Sequence, residues 1–200
     1  MKLVTFKALN QKAQAGWIEG ETVYSIAECS GGSLPATMAE LIKISADKMP
    51  ELQQLVGKQQ TGFSIHEVEL LAPLENPSSV RDFMAFENHL LNASKKSGLT
   101  IHPEWYKIPV FYFTNHQSIH GPNQTVDIPP NCKMFDYELE IAAVIGNRER
   151  ISKPPMLMII SSATPSLMIG LPVTYNFRKC RLGSVPQKVR MLLLQSDRIL

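Results

Sequence analysis

The sequence predicts an α+β, β-rich fold on the basis of three observations. Short runs rich in β-branched and aromatic residues alternate with turn residues over residues 1–26. Two segments with helical spacing follow, Met38–Ile44 and Pro50–Leu55. A later run, Phe135–Gly146, has an apolar, β-branched second half that stops at a glycine, which is typical of a buried strand. We therefore expect a small N-terminal module followed by a second, sheet-based domain.

Composition excludes several classes of protein. The 200 residues suit one large domain or a small domain joined to a medium one, and the hydrophobic content of 44% is enough to form a core. A net charge of +2 is too small to indicate a nucleic acid or a membrane as partner. The three cysteines match no zinc or redox spacing, and the N-terminus lacks the apolar segment of a signal peptide. We expect a soluble, cytoplasmic protein.

Residues 1–67 are predicted to form the small N-terminal β/α module. Its strands are expected at Leu3–Phe6, Ala13–Ile18 and Thr22–Ile26, and the polar stretch Gly57–Gly62 is expected to be a linker. No grouping of catalytic residue types is visible in this part of the chain. A structural role, or support of a dimer, is therefore the expected role.

The second domain is expected to span residues 68–153 and to open with the strand Val68–Leu74. The segment Val80–Ala93 is predicted to be a helix that ends near Gly98. In such a helix Asp82 and His89 would be two turns apart and would share a face. Taken singly, an acid at a helix start is more typical of a cap, and such a histidine is more typical of a partly buried polar residue.

The aromatic-rich segment Trp105–Asn115 is predicted to be a strand. Aromatic residues at this density indicate the core or the wall of a binding site, and Tyr112 could present its hydroxyl to a ligand. His116 and His120 have the spacing of a helical metal pair. The Gly-Pro dipeptide that follows them argues against a helix and therefore against that pair.

Two carboxylates, Glu138 and Glu140, lie two residues apart in the predicted strand Phe135–Gly146. This spacing places both side chains on one face of a strand, where they repel each other unless positive charge lies between them. A divalent cation that prefers oxygen ligands would satisfy them. The alternative is a half-exposed edge strand whose acids point into water.

Together these segments resemble the fumarylacetoacetate hydrolase family over residues 68–153. The resemblance rests on VRDFMAFENH at 80–89, IPVFYFTN at 108–115, the turn His120-Gly121-Pro122, and DYELEIAAVIG at 136–146. It implies part of a distorted, mixed β-sandwich or roll and a homodimer. It also implies a bound Mg²⁺, or Ca²⁺ or Mn²⁺, and a small diketo or oxo acid as substrate, as in aromatic catabolism.

The resemblance also implies the roles of individual residues. Asp82, Glu138 and Glu140 correspond to metal ligands, His89 to the general base that activates water, and Tyr112 to a substrate contact. Met84 corresponds to a second substrate contact, although it departs from the family pattern, in which a tyrosine helps hold substrate at this position. The implied reaction is hydrolysis of a C–C bond in a 2,4-diketo or oxo acid, and decarboxylase or isomerase chemistry stays open.

The resemblance stops near Lys153. Beyond that residue the family pattern continues with strings such as NDWSARD, and a coding sequence for this string, read one base later, yields Met168–Val173. The same shift accounts for Met158–Pro165 and for Gly183–Arg190. We therefore expect residues 154–200 to be an out-of-frame tail. A truncated, catalytically inactive product is then the alternative to an active hydrolase. The alternative is a genuine basic C-terminal tail, since most of the charged residues in this segment are Lys or Arg.

Overall fold

A computed structural model describes residues 1–146, except 59, 60, 99, 129, 131 and 134. Of residues 136–141 it describes only the backbone, and the same holds for three later strands. The expected α+β, strand-rich fold is confirmed. No helix in the described part of the chain is long and apolar enough to cross a membrane.

Residues 1–74, here called the first region, form a five-stranded antiparallel sheet covered by three helices. The strand order is β4-β3-β2-β1-β5. The strands are β1 Lys2–Ala8, β2 Gln14–Glu19, β3 Thr22–Ser25, β4 Phe63–Ser64 and β5 Val68–Leu71. The helices are α1 Ile26–Cys29, α2 Met38–Lys43 and α3 Ser45–Leu55. The elements predicted from sequence in this region are confirmed to within a few residues, although α3 begins five residues earlier than expected.

Local chemistry explains where α2 begins and which side it buries. Thr37 caps the helix, because its hydroxyl oxygen accepts a hydrogen bond of 3.3 Å from the backbone nitrogen of Glu40. Met38 and Leu41, three residues apart, are the buried side chains of this helix. They join Trp17 and Leu52 in a core cluster on the helix-covered face of the sheet. The first region therefore has an apolar core of its own.

Strand β5 lies in the first sheet, although the sequence analysis placed it at the start of the second domain. Val68–Leu71 pairs antiparallel with β1, from Ala8 opposite Val68 to Thr5 opposite Leu71. The Thr5 hydroxyl also donates a hydrogen bond of 2.8 Å to the carbonyl of Pro73. The boundary between residues 67 and 68 stays a prediction, but this strand is paired with the N-terminal sheet.

The predicted helix Val80–Ala93 is wrong in its first half. Residues Val80–Phe83 form strand β6, and the helix α4 spans Glu87–Ser97. The predicted end at Gly98 is confirmed: Gly98 adopts a φ of 71° and its backbone nitrogen donates to the carbonyl of Ser94 at 2.8 Å. A glycine adopts this left-handed conformation without the steric cost that a Cβ atom would add.

The remaining strands of the second region, residues 78–146, are two to four residues long, except for the acidic strand. The aromatic segment contains a 3₁₀ helix at Pro103–Tyr106 and then β7, Phe111–Thr114, which pairs antiparallel with β6. Strand β8 spans Ile119–His120, so His116 and His120 do not lie one turn apart on a helix. The predicted acidic strand is confirmed as β9, Phe135–Ile141, and β10, Val144–Ile145, follows two residues later.

The predicted out-of-frame tail lies mostly outside the described residues. The structure gives the backbone of β11, Ser161–Ala163, β12, Ser166–Pro172, and β13, Arg190–Leu192. Strand β12 pairs antiparallel with β9, from Ser166 opposite Ile141 to Pro172 opposite Phe135. The origin of the tail stays a prediction.

Candidate metal and substrate site

The two-stranded sheet of β6 and β7 brings Asp82 and Tyr112 together. The two residues are direct partners in the antiparallel register, so their side chains share one face of the strand pair. Asp82 is 7% exposed, whereas Tyr112 is 48% exposed. This face, which also carries Val80 and Thr114, is here called the inner face. On β7, this face is buried at Thr114 and accessible to solvent at Tyr112.

The opposite face of the same strand pair is aromatic and exposed. The guanidinium carbon of Arg81 lies 4.0 Å from the ring centroid of Phe113 and 5.7 Å from that of Phe111. The Phe83 and Phe111 rings are 5.2 Å apart. Phe111 and Phe113 are 37% and 60% exposed, so within the described residues this aromatic run is a surface and not a core.

Asp82 and His89 do not share a helix face. Asp82 lies on β6, whereas His89 lies in the first turns of α4 and is exposed. Their spacing of seven residues predicted two helical turns, but residues 84–86 are a loop that ends the strand. The position of His89 relative to Asp82 therefore depends on the conformation of this loop and on the contacts that stabilise it.

Three hydrogen bonds attach this loop and the start of α4 to the segment that precedes β7. The Trp105 indole nitrogen donates to the carbonyl of Met84 at 2.8 Å. The Met84 backbone nitrogen donates to the carbonyl of Val110 at 3.0 Å. The Tyr106 hydroxyl donates to Oε1 of Glu87 at 2.7 Å, and this hydrogen bond raises the pKa of Tyr106 above its ordinary value. The sequence analysis missed Trp105 and Tyr106 as residues that hold the helix of His89.

Met84, predicted as a substrate contact, is half-buried and lies two residues beyond Asp82. Both of its backbone polar groups are engaged by the bonds to Trp105 and Val110. Its backbone is therefore held in place, and its thioether side chain is an apolar, adaptable group.

Glu138 and Glu140 lie in β9, opposite Ile169 and Leu167 of β12. Their side chains lie outside the described residues, so their predicted place on one face stays a prediction. Among the side chains that are described, no three His, Cys, Asp or Glu groups cluster closely enough to hold a metal. The predicted ligands nevertheless fit a divalent cation, because three carboxylates provide the oxygen ligands that Mg²⁺, Mn²⁺ and Ca²⁺ prefer.

Comparison with known proteins confirms the resemblance. Residues 78–156 match the family model described as "Fumarylacetoacetate (FAA) hydrolase C-terminal". The matched segment contains Asp82, His89, Tyr112 and the acidic strand, so the similarity to this family covers the residues singled out above. The match ends three residues beyond Lys153, close to the point where the sequence analysis places the break.

Curated relatives include the mitochondrial oxaloacetate tautomerase fahd2 of Xenopus laevis, which is 24% identical over 151 residues. That alignment covers 74% of this chain and 45% of the relative, so the chain spans less than half of the relative's length.

Two solved structures share the fold. The fumarylacetoacetate hydrolase of Exiguobacterium antarcticum has a TM-score of 0.64 at 17% identity, over 90% of this chain and 60% of that protein. The maleylpyruvate hydrolase of Sphingobium sp. SYK-6, solved with manganese(II) and pyruvate, has a TM-score of 0.63 at 16% identity, over 86% of this chain and 59% of that protein.

Proposed function

We propose that this chain carries the metal-binding part of a divalent-metal-dependent hydrolase, which cleaves a C–C bond in a 2,4-diketo or related oxo acid. Asp82, Glu138 and Glu140 would hold the cation, which is Mg²⁺, Mn²⁺ or Ca²⁺. The observation that carries this proposal is the buried carboxylate of Asp82, which lies opposite Tyr112 within the segment that matches the family.

The burial of Asp82 is compatible with a role as metal ligand, because buried charges in proteins are paired or coordinate metals. A carboxylate removed from water loses hydration free energy, and a bound cation with further oxygen ligands offsets that loss. Glu138 and Glu140 lie on strand β9 at alternate positions, as Asp136 does. Support also comes from the Sphingobium hydrolase, which was solved with manganese.

The side chains of this chain would divide the chemistry among them. When bound, the cation would orient the oxo acid and stabilise the negative charge that develops on its keto oxygen. The His89 imidazole would accept a proton from the attacking water. The Tyr112 hydroxyl would hydrogen-bond the substrate from the accessible end of the inner face, and Met84 would contact its apolar part.

Tautomerisation of a 2-oxo diacid is a second candidate function. It is favoured by the match to oxaloacetate tautomerases and by Met84, which replaces the tyrosine expected in the hydrolases. In this reaction His89 would move a proton between carbon and oxygen of the substrate, and no C–C bond would break. Oxaloacetate, which interconverts between enol and keto forms, distinguishes this reaction from hydrolysis.

The first experiment is a thermal melt of the chain with increasing Mn²⁺. A free Mn²⁺ concentration of about 100 times Kd stabilises the folded protein by about 2.7 kcal/mol. For a chain of this length, that raises Tm by roughly 5–10 °C. Asp82→Asn should abolish the rise, whereas Glu69→Gln, a change at an exposed acid of β5, should leave it intact. Equal rises in both variants would contradict the proposed ligand.

Activity then separates the candidate functions. A hydrolase should release pyruvate from an acylpyruvate, and His89→Ala should remove that activity without affecting the Mn²⁺-dependent rise in Tm. A tautomerase should accelerate only the keto–enol interconversion of oxaloacetate. Binding of Mn²⁺ without either activity would support the inactive, out-of-frame product, and sequencing of the coding DNA across codons 147–158 tests that origin. The homodimer implied by the resemblance stays a prediction.

A further inference from the structure

We infer that the hydroxyl of Thr114 is a substrate-binding group that donates a hydrogen bond to an oxygen of the oxo acid. This inference rests on the proposed function, because it places the ligand on the inner face beside Asp82. It adds a residue that the sequence analysis did not single out.

Thr114 is buried, and its hydroxyl is unsatisfied. The residue is 5% exposed, and its Oγ1 atom has no hydrogen-bond partner among the described residues. A buried hydroxyl without a partner destabilises a fold, because it gives up its hydrogen bonds to water and gains none in return. Such groups in native proteins call for an explanation, and a ligand that completes the bond is one.

The position of Thr114 relative to Asp82 is fixed by the register. Thr114 lies opposite Val80, and Asp82 lies opposite Tyr112, so Thr114 and Asp82 are diagonal neighbours on the inner face. Diagonal neighbours on a strand pair are about 7–8 Å apart at their Cα atoms, and somewhat less at their Cβ atoms. A small molecule held at the Asp82 carboxylate through a cation would therefore come within reach of the Thr114 hydroxyl.

The polar residue next in the chain does not satisfy Thr114. The amide nitrogen of Asn115 donates to Oγ of Ser118 at 2.8 Å, and its amide oxygen accepts from the backbone nitrogen of Gln117 at 3.1 Å. These bonds stabilise the turn after β7. A valine at position 114 would keep the β-branched shape that suits a strand without the buried hydroxyl, so the fold alone does not account for a threonine.

The chemistry of the hydroxyl indicates which ligand atom it would bind. A hydroxyl donates one hydrogen bond, and a carboxylate or keto oxygen accepts one. A 2-oxo acid presents both kinds of oxygen at its cation-binding end. A hydrogen bond from Thr114 to the carboxylate would be charge-assisted and therefore stronger than one between neutral groups.

The test is calorimetric titration of pyruvate into the chain at saturating Mn²⁺. The probe is suitable because the Sphingobium hydrolase binds manganese and pyruvate together. Thr114→Val should weaken pyruvate binding about tenfold, because it removes a hydrogen bond to a charged group. The same variant should leave Mn²⁺ affinity unchanged and raise Tm in the absence of ligand. Thr114→Ser, which keeps the hydroxyl, should bind pyruvate nearly as the wild type does.

A purely structural role would change Tm without changing pyruvate affinity. Pyruvate binding by Thr114→Val at wild-type strength would overturn the inference and leave the proposed metal site intact. Thr114→Ala is a second hydroxyl-free variant and should show the same loss if the valine chain does not fold. Failure of the wild-type chain to bind Mn²⁺ and pyruvate would overturn both the proposed function and the inference.

Discussion

The two regions of this molecule bury opposite kinds of side chain. Every buried apolar side chain that the structure describes lies in the first region, between Val4 and Ala72. In the second region the buried side chains among the described residues are Asp82 and Thr114, both polar. Several of its large apolar residues are exposed, among them Phe86 at 74% and Phe113 at 60%. The first region therefore has an apolar core, whereas the strand pair of the second region buries polar side chains and exposes aromatic ones.

The contrast arises from which side chains the two faces of a strand carry. In β1 neighbouring residues face different core clusters: Val4 and Phe6 lie in one, and Leu3 packs against the other. In β6 the alternation separates Arg81 and Phe83 on the exposed aromatic face from Asp82 on the inner face. Apolar burial therefore accounts for the stability of the first region. The proposed function explains the two buried polar groups of the second region better than stability does.

A leucine in each region gives the largest expected difference. Leu41 is 1% exposed in the core of the first region, so Leu41→Ala should lower the free energy of unfolding by about 2–5 kcal/mol. Leu91 on α4 is 38% exposed, and Leu91→Ala should cost less than about 1 kcal/mol. Urea unfolding followed by tryptophan fluorescence measures both. Equal losses would contradict the division into a packed first region and a more open second region.

The attachment of α4 gives a smaller effect. Trp105→Phe removes the hydrogen bond to the Met84 carbonyl and should cost about 0.5–1.5 kcal/mol. Hydrogen exchange at the amides of residues 84–90 should accelerate, while exchange in β1 and β2 stays unchanged. Lys107→Ala, which breaks an exposed ion pair with Glu104, is the matched control and should have little effect. Unchanged exchange in Trp105→Phe would show that other contacts hold the loop.

The smallest effect is a pH dependence at Tyr106. Its hydrogen bond to Glu87 raises the pKa of the phenol above the ordinary value of about 10. The protonated phenol is therefore favoured in the folded chain. Its contribution to stability is fully present below the unfolded pKa and is lost as pH rises through the folded pKa. Glu87→Gln should lower the Tyr106 pKa toward the ordinary value, as measured from phenolate absorbance with Tyr106→Phe as reference. An unchanged titration would contradict this hydrogen bond in solution.

Local patterns predicted most of the first region. Its strands are short runs rich in β-branched and aromatic residues, and turn residues such as Gly20, which has a φ of 58°, separate them. These signals lie within a few residues of the element that they define, so a sequence is enough to place them. The pairing of Val68–Leu71 with β1 was not predicted, because its partner lies about sixty residues earlier in the chain.

The candidate site was predicted in its residues but not in its geometry. Asp82 and Tyr112 were singled out, yet Asp82 was assigned to a helix because no Gly or Pro separates Val80–Phe83 from α4. The strand forms because it pairs with β7, about thirty residues later, and no local pattern encodes that partner. Thr114 could not be found from sequence, since only its burial and its register distinguish it from other threonines.

The most direct test of the account is to locate the cation by nuclear magnetic resonance. Paramagnetic Mn²⁺, added in substoichiometric amounts to the labelled chain, broadens the signals of the residues around its site. The account predicts selective loss of the amide signals of Asp82, Tyr112 and Thr114, with those of Trp17 and Leu41 preserved and with no loss in Asp82→Asn. Uniform broadening, or the same selective loss in Asp82→Asn, would contradict a metal site built on Asp82.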